Sequence, residues 1–333
     1  MSSPGRAPIV NASNMIALHI FRLVFCARAR LRLALGLGLA LLGAGLHAQT
    51  RAAAPTATPA ARPALAPGNG KLLLTGGVSS IDGAAGGGLT PWAVIGSQAT
   101  AGEIGATAFI TRTVTQDYAL TAHGAAIGID DRVELSLARQ ALNVNVVVPD
   151  TTLQLDIAGL KVRVAGDAVL EADTLLPQVA IGIEFKRVDP GQAVGGVLDS
   201  VGAKRSGIDV YASATKLFLA QGILVNGTLR LTKANQNGLL GFGSSEQRGY
   251  TLRPELSVAW LLRRDLAIGA ELRFKPNRLA FAGDAFAEDD WKDLFIAWAP
   301  SKPLSLTAAY VDLGNIVGHP HQRGAYLSLQ LAF

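Results

Sequence analysis

Cysteine is all but missing from this chain. The only one, Cys26, lies ahead of residue 48, so residues 49–333 can form no disulfide and offer no thiol chemistry. Val24 and Phe25 before it are also not the small residues of a lipidation site. Phosphate-binding motifs are missing too. The glycine runs at 83–88 and 238–243 lead into no Gly-Lys-Ser/Thr and stand in no strand–loop–helix unit. Beyond residue 48 no stretch has the length and apolar density of a membrane helix. The nearest, residues 84–102, is free of charge but interrupted by Gly, Thr and Pro. An excess of positive charge is likewise illusory. The chain carries +5 overall, but Arg6, Arg22, Arg28, Arg30 and Arg32 fall in residues 1–48 beside no acidic residue, leaving 25 basic and 25 acidic groups. A nucleic-acid partner is therefore excluded.

Those arginines precede an apolar run from Leu33 to Leu46 that ends in small residues up to Ala48. This predicts a secretory signal peptide over residues 1–48, started at Met1 or Met15 and cleaved near Ala48. Residues 49–69 are rich in Ala and Pro and predict a disordered linker. Residues 70–333 then form one domain.

What is present is alternation. In the last stretch Ala325, Leu327, Leu329, Leu331 and Phe333 share one face, while Tyr326, Ser328 and Gln330 share the other. The same period of two runs through Leu266–Lys275, where Leu266, Ile268, Ala270, Leu272 and Phe274 oppose Gly269, Glu271, Arg273 and Lys275. It recurs over 178–186, 223–232 and 252–260. Segments of about ten alternating residues separated by turns are the pattern of a transmembrane barrel. Short connections at 130–131, 219–222, 262–265 and 299–303, with a less tidy one at 97–102, alternate with long ones at 143–151, 189–206, 234–249, 277–289 and 314–323. Residues 166–176 are a longer link on the short-turn side.

The expectation is an all-β, single antiparallel barrel of about 14 strands, or 12 if residues 71–97 fold inside. It would sit in the outer membrane of a Gram-negative cell, with short turns periplasmic. Trp92, Tyr118, Trp260, Trp291, Trp298 and Tyr310 are placed as an interfacial girdle. A one-residue bulge near Ala158–Gly159 would bring Leu153, Leu155 and Ile157 into phase with Leu160, Val162 and Val164.

The chain is similar to an uncharacterised proteobacterial family described as domain of unknown function 3034. The strings that carry the resemblance are Gly-Lys-Leu-Leu-Leu-Thr-Gly-Gly-Val at 70–78, Gly-Gly-Gly-Leu-Thr-Pro-Trp-Ala at 86–93, Asp-Arg-Val-Glu-Leu-Ser at 131–136, Ala-Thr-Lys-Leu-Phe-Leu-Ala-Gln at 214–221, Thr-Lys-Ala-Asn-Gln at 232–236, Glu-Asp-Asp-Trp at 288–291 and Tyr-Val-Asp-Leu-Gly-Asn-Ile at 310–316. It implies an outer-membrane location and supplies no activity and no site residues.

The candidate site is a set of charges phased toward the lumen or its mouth: Glu184, Lys186, Arg230, Arg253, Glu255, Glu271, Arg273, Lys275 and Asp293. One reading is a basic ladder that draws anionic solutes past acidic residues at a constriction. The other is cross-strand ion pairing that stiffens the wall. The functional expectation is a narrow pore or uptake channel for small polar or amphipathic solutes, with no cofactor. The alternative is a structural or surface-interaction barrel with an occluded lumen. A lipid hydrolase built on His123 and Ser136 is a lesser alternative, since no nucleophile elbow accompanies them. His319 and His321 lack a third metal ligand. Expected partners are outer-membrane lipid, small solutes and the barrel-insertion machinery, which would engage the strand ending in Phe333.

Overall fold

Period-two segments pair edge to edge until the sheet meets itself. A computed structural model describes residues 65–171 and 174–333, and among these twelve long strands form the wall. They are β1 (Glu103–Thr115), β2 (Ala119–Ile129), β3 (Val133–Asn143), β4 (Thr152–Ala165), β5 (Gln178–Asp189) and β6 (Ser206–Phe218). The rest are β7 (Ile223–Thr232), β8 (Thr251–Arg263), β9 (Leu266–Arg273), β10 (Trp291–Ser301), β11 (Leu304–Asp312) and β12 (Arg323–Ala332). Each pairs antiparallel with the next, and β12 pairs with β1 from Gly324↔Thr115 to Ala332↔Thr107. Closure leaves no long open edge. Ala66 and Pro67 lie parallel beside Glu103 and Ile104 of β1. The expected signal peptide (1–48) and nearly all of the expected linker (49–69) lie outside the described residues.

The wall therefore has 12 strands rather than 14. Residues 71–102 supply none, because a wall strand must keep one face outside, and residues 78–97 are buried without a break. The lone regular piece there is a miniature hairpin of Val78–Ser79 with Ala85–Gly86. Connections alternate as the sequence predicts. Residues 130–132, 166–177, 219–222, 264–265 and 302–303 close one end; the short turn 116–118 and five longer loops close the other. Residues 97–102 lead from the inner segment into β1 instead of joining two wall strands. The loop after β5 holds a helix, α1 (Gly191–Ser200). No helix among the described residues is long and apolar enough to cross a membrane.

Side chains divide by phase. Leu137 and Leu294 (both 66% exposed), Leu327, Leu329 and Leu331 point outward, whereas Tyr326, Ser328 and Gln330 are buried inside. Trp260, Trp298 and Tyr310 join the outer belt; Trp92, Trp291 and Tyr118 do not, being at most 4% exposed. Trp92 lies in the inner segment, Trp291 has the inward phase of Asp293, and Tyr118 donates to the Ile316 carbonyl. The expected bulge at Ala158–Gly159 is absent, for the register runs unbroken there and shifts only between Arg163 and Ala165. Leu153, Leu155 and Ile157 face inward because the lumen's long-loop end is itself an apolar core, shared with Ile81, Leu89, Leu239 and Phe242.

Glycines of the inner face have a specific use. Gly124, Gly182 and Gly269 stand directly across from Phe109, Tyr211 and Phe295. A Cβ at Gly182 would come within 2.1 Å of the Tyr211 ring, and one at Gly269 within 2.4 Å of Phe295. Each aromatic ring lies over its glycine, covering exposed backbone.

Candidate functional site

Residues 71–101 fill the lumen from the short-turn end, gripped by wall carboxylates. Glu134 of β3 accepts from the Ala85 and Gly96 amides at 3.1 and 2.6 Å and pairs with Lys161 of β4 at 3.0 Å. Lys161 also donates to the Ala85 and Trp92 carbonyls. On the opposite wall Glu271 accepts from the Leu89 amide at 2.8 Å and from the hydroxyls of Thr90 and Ser257. That grip explains the glycine run: a Cβ at Gly87 would sit 2.2 Å from a Glu271 oxygen. Between the carboxylates the wall offers neutral partners. Ser213, Asn226 and Thr228 donate to the Pro91 carbonyl, Gln178 donates to Ala93, and Ser79 donates to Gln330 at 2.8 Å.

Asp82 is the tip of this plug, on the turn closed by Ser80 and Ala84. Arg273, Lys186 and Arg230 approach its Oδ2 at 2.9, 3.5 and 4.0 Å. Its Oδ1 accepts from Asn237 at 2.7 Å and from Gln140 at 3.0 Å. The three cations are also matched by three wall carboxylates. Arg230 bonds Glu184 at 2.7 Å and bonds Glu255, Lys186 lies 3.1 Å from both Glu184 and Asp209, and Arg273 lies 3.3 Å from Glu255. Arg230 further lies 5.1 Å above the Tyr211 ring.

A second element closes the lumen from the long-loop end. The loop between β7 and β8 turns inward through Gln236, Asn237 and Gly238, all at positive φ, and buries Leu239, Leu240 and Phe242. Asn237 accepts from Lys186 at 2.9 Å and from Arg273 at 2.8 Å while donating to Asp82. Gln236 accepts from Lys275, donates its backbone amide to Glu288 and its side chain to the Asn315 carbonyl. This cap thus ties three loops to the plug. Burial pushes the Lys275 ammonium down to about 8, with Glu288 opposing the shift from 3.5 Å away.

Seven of the nine charges phased inward by sequence are gathered here: Glu184, Lys186, Arg230, Glu255 and Arg273 around Asp82, Glu271 on the plug backbone, and Lys275 under the cap. They line no open mouth, because plug and cap cover them. Asp293 stands across from Glu271. Arg253 is half-buried across from Arg230, and its Nε finds no acceptor among the described residues. Phase alone locates Asp209, Glu134 and Lys161, which share the face of named neighbours. Asp82 gives no such signal, since its segment has no period.

The hydrolase pair is not assembled. His123 points outward and Ser136 inward, on opposite faces of the wall. His319 lies 3.4 Å from Asp117, His321 is exposed, and no metal-holding group occurs among the described residues. The glycine runs at 83–88 and 238–243 are the plug hairpin and the cap.

Among solved structures, the chain is similar to the KdgM porin at 10% identity over 68% of this chain and 99% of that one, with a TM-score of 0.44. The COG4313 outer membrane channel from Pseudomonas putida F1 gives 13%, 69%, 95% and 0.41. The outer membrane phospholipase A from Escherichia coli gives 10%, 68%, 92% and 0.38. No curated protein matches the chain. The model of one family, described as protein of unknown function (DUF3034), matches residues 75–330, and the chain belongs to that family, as its strings lead one to expect.

Proposed function

We propose that the protein is an outer-membrane uptake channel for small polar or amphipathic solutes, shut at rest by plug and cap. The apolar belt seats the barrel in lipid, with the short turns and the plug's root on the periplasmic side. One observation carries the reading: the wall charges around Asp82 balance without it. Lys186, Arg230 and Arg273 face Glu184, Asp209 and Glu255, and between the two apolar clusters of the lumen the wall adds hydroxyls and amides such as Thr111, Ser136, Thr215, Asn226 and Thr228. Burying such groups dry costs several kcal/mol per ion before pairing returns any of it, and an apolar wall would hold a permanent filling as well or better. A wall of this composition suits a lumen that is wet in another state.

Residues 49–333 hold no cysteine, so a lock can be added without background. Ser79→Cys with Gln330→Cys, bridged by a short bis-methanethiosulfonate that forms a disulfide with each thiol as sulfinate leaves, pins plug to wall until a reductant is added. In planar bilayers the unbridged double variant conducts in bursts, and bridging abolishes them reversibly. A double variant silent in both states overturns the channel and leaves the second reading, a surface-interaction barrel whose filling never leaves. That reading is favoured by the polar contacts that plug and cap share.

A further inference from the structure

Where plug, cap and wall meet at the long-loop end lies a pocket that the hydrogen-bonded network does not occupy. Ile81 and Leu89 of the plug form its floor, Leu239 and Leu240 of the cap one side, and Trp291 and Ile316 another. Its closed volume is about 30 Å³, too small for a six-membered ring until the rim parts, and its lining is mostly apolar. Two further observations point to an occupant. Trp291 is 3% exposed, yet its indole N–H finds no acceptor among the described residues, whereas buried indoles ordinarily donate. Val317, at the rim, holds φ 44°, a left-handed conformation that a β-branched residue adopts only under strain.

Resting on the uptake reading above, we propose that this pocket binds a small, mainly apolar molecule with a single hydrogen-bond acceptor, taken up by the Trp291 N–H when the rim parts. The apolar body replaces contacts between cap and plug, and the acceptor satisfies the one donor of the pocket lining that the closed state leaves unpaired. Since the same residues seat the Asp82 tip and the Asn237 cap, occupancy loosens the junction that shuts the lumen.

The probes are cyclohexanone, which carries one acceptor, and cyclohexane, which carries none. Binding heat is measured on the detergent-solubilised full chain, with Leu240→Trp, which fills the pocket, as the blank for partition into micelles. Saturable heat with both probes in the parent and none in Leu240→Trp is expected. Trp291→Phe weakens cyclohexanone about fivefold, the loss of one hydrogen bond, and leaves cyclohexane unchanged. Val311→Phe, a second filling variant, guards against misfolding of the first. Equal heats in the parent and both filled variants overturn the proposal, as does a Trp291→Phe effect identical for the two probes. A barrel that conducts when unlocked but binds neither probe sinks the pocket alone. One that binds but never conducts sinks the channel and keeps the pocket.

Discussion

Asn237 and Asp82 meet at 2.7 Å, side-chain amide to carboxylate, and this contact joins an element inserted from one end of the barrel to an element inserted from the other. The same Asn237 oxygen accepts from Lys186 and Arg273, the two cations closest to Asp82. The junction behaves as a single unit, and its parts are open to separate tests.

Asp82→Ala removes the acid that three buried cations share. Truncating one partner of a buried pair costs roughly 3–5 kcal/mol, and here that loss falls on plug docking, since the wall charges still match one another. A Ser79→Cys reporter is expected to resist a maleimide reagent in the parent and to react at least tenfold faster in Asp82→Ala. Both proteins should keep the heat-modifiable mobility of a folded barrel.

Gly182→Ala tests the glycine–aromatic pairs. The added methyl meets the Tyr211 ring and displaces it from beneath Arg230, an overpacking cost of about 1–3 kcal/mol. Chemical unfolding in lipid vesicles should show that loss, and Gly182→Ala combined with Tyr211→Ala should lose less than the sum of the single changes.

Leu327→Arg places a charge on the outer belt of β12, at a leucine 61% exposed. Near the bilayer midplane this costs about 2–4 kcal/mol. Refolding yield and stability in vesicles should both fall, while Ser328→Ala, one residue along on the inner face, should leave insertion unaffected.

Lys275 sets a pH dependence. Its folded value lies at about 8, below the ordinary lysine range near 10.4, because burial opposes the charge more than Glu288 supports it. Between these values the unfolded loop binds more protons than the folded one, so stability rises with pH through this window and is lost as pH falls through about 8. Protease resistance of the loop 274–290 should therefore increase from pH 7.5 to pH 10, and Lys275→Met should flatten the profile.

The strands were legible because one outward face imposes a period of two, and Leu266–Lys275 or 324–333 display it without interruption. Depth was not legible. Phase puts Arg230 and Arg273 on the inner face, but nothing in a single strand says whether water or another segment lies beyond. Residues 71–101 escape any periodic reading because both of their faces are buried, which also cost the strand count two. Leu153, Leu155 and Ile157 depart from the outward phase for a related reason: the filled long-loop end gives leucine a second apolar place to go. Trp291 shows how the phase of Asp293, two residues on, could have outweighed the habit of placing tryptophan at an interface.

The seam between β1 and β12 has a consequence for assembly. It unites the strand made first with the strand made last, so the ring shuts only after every other pairing is available. Residues 71–101 leave the ribosome before any of the wall, and Ser79 finds Gln330 on the very strand that completes the circle. The strand that closes the ring is thus also one that holds the filling, and a chain cut between β11 and β12 should lose both the seam and this grip.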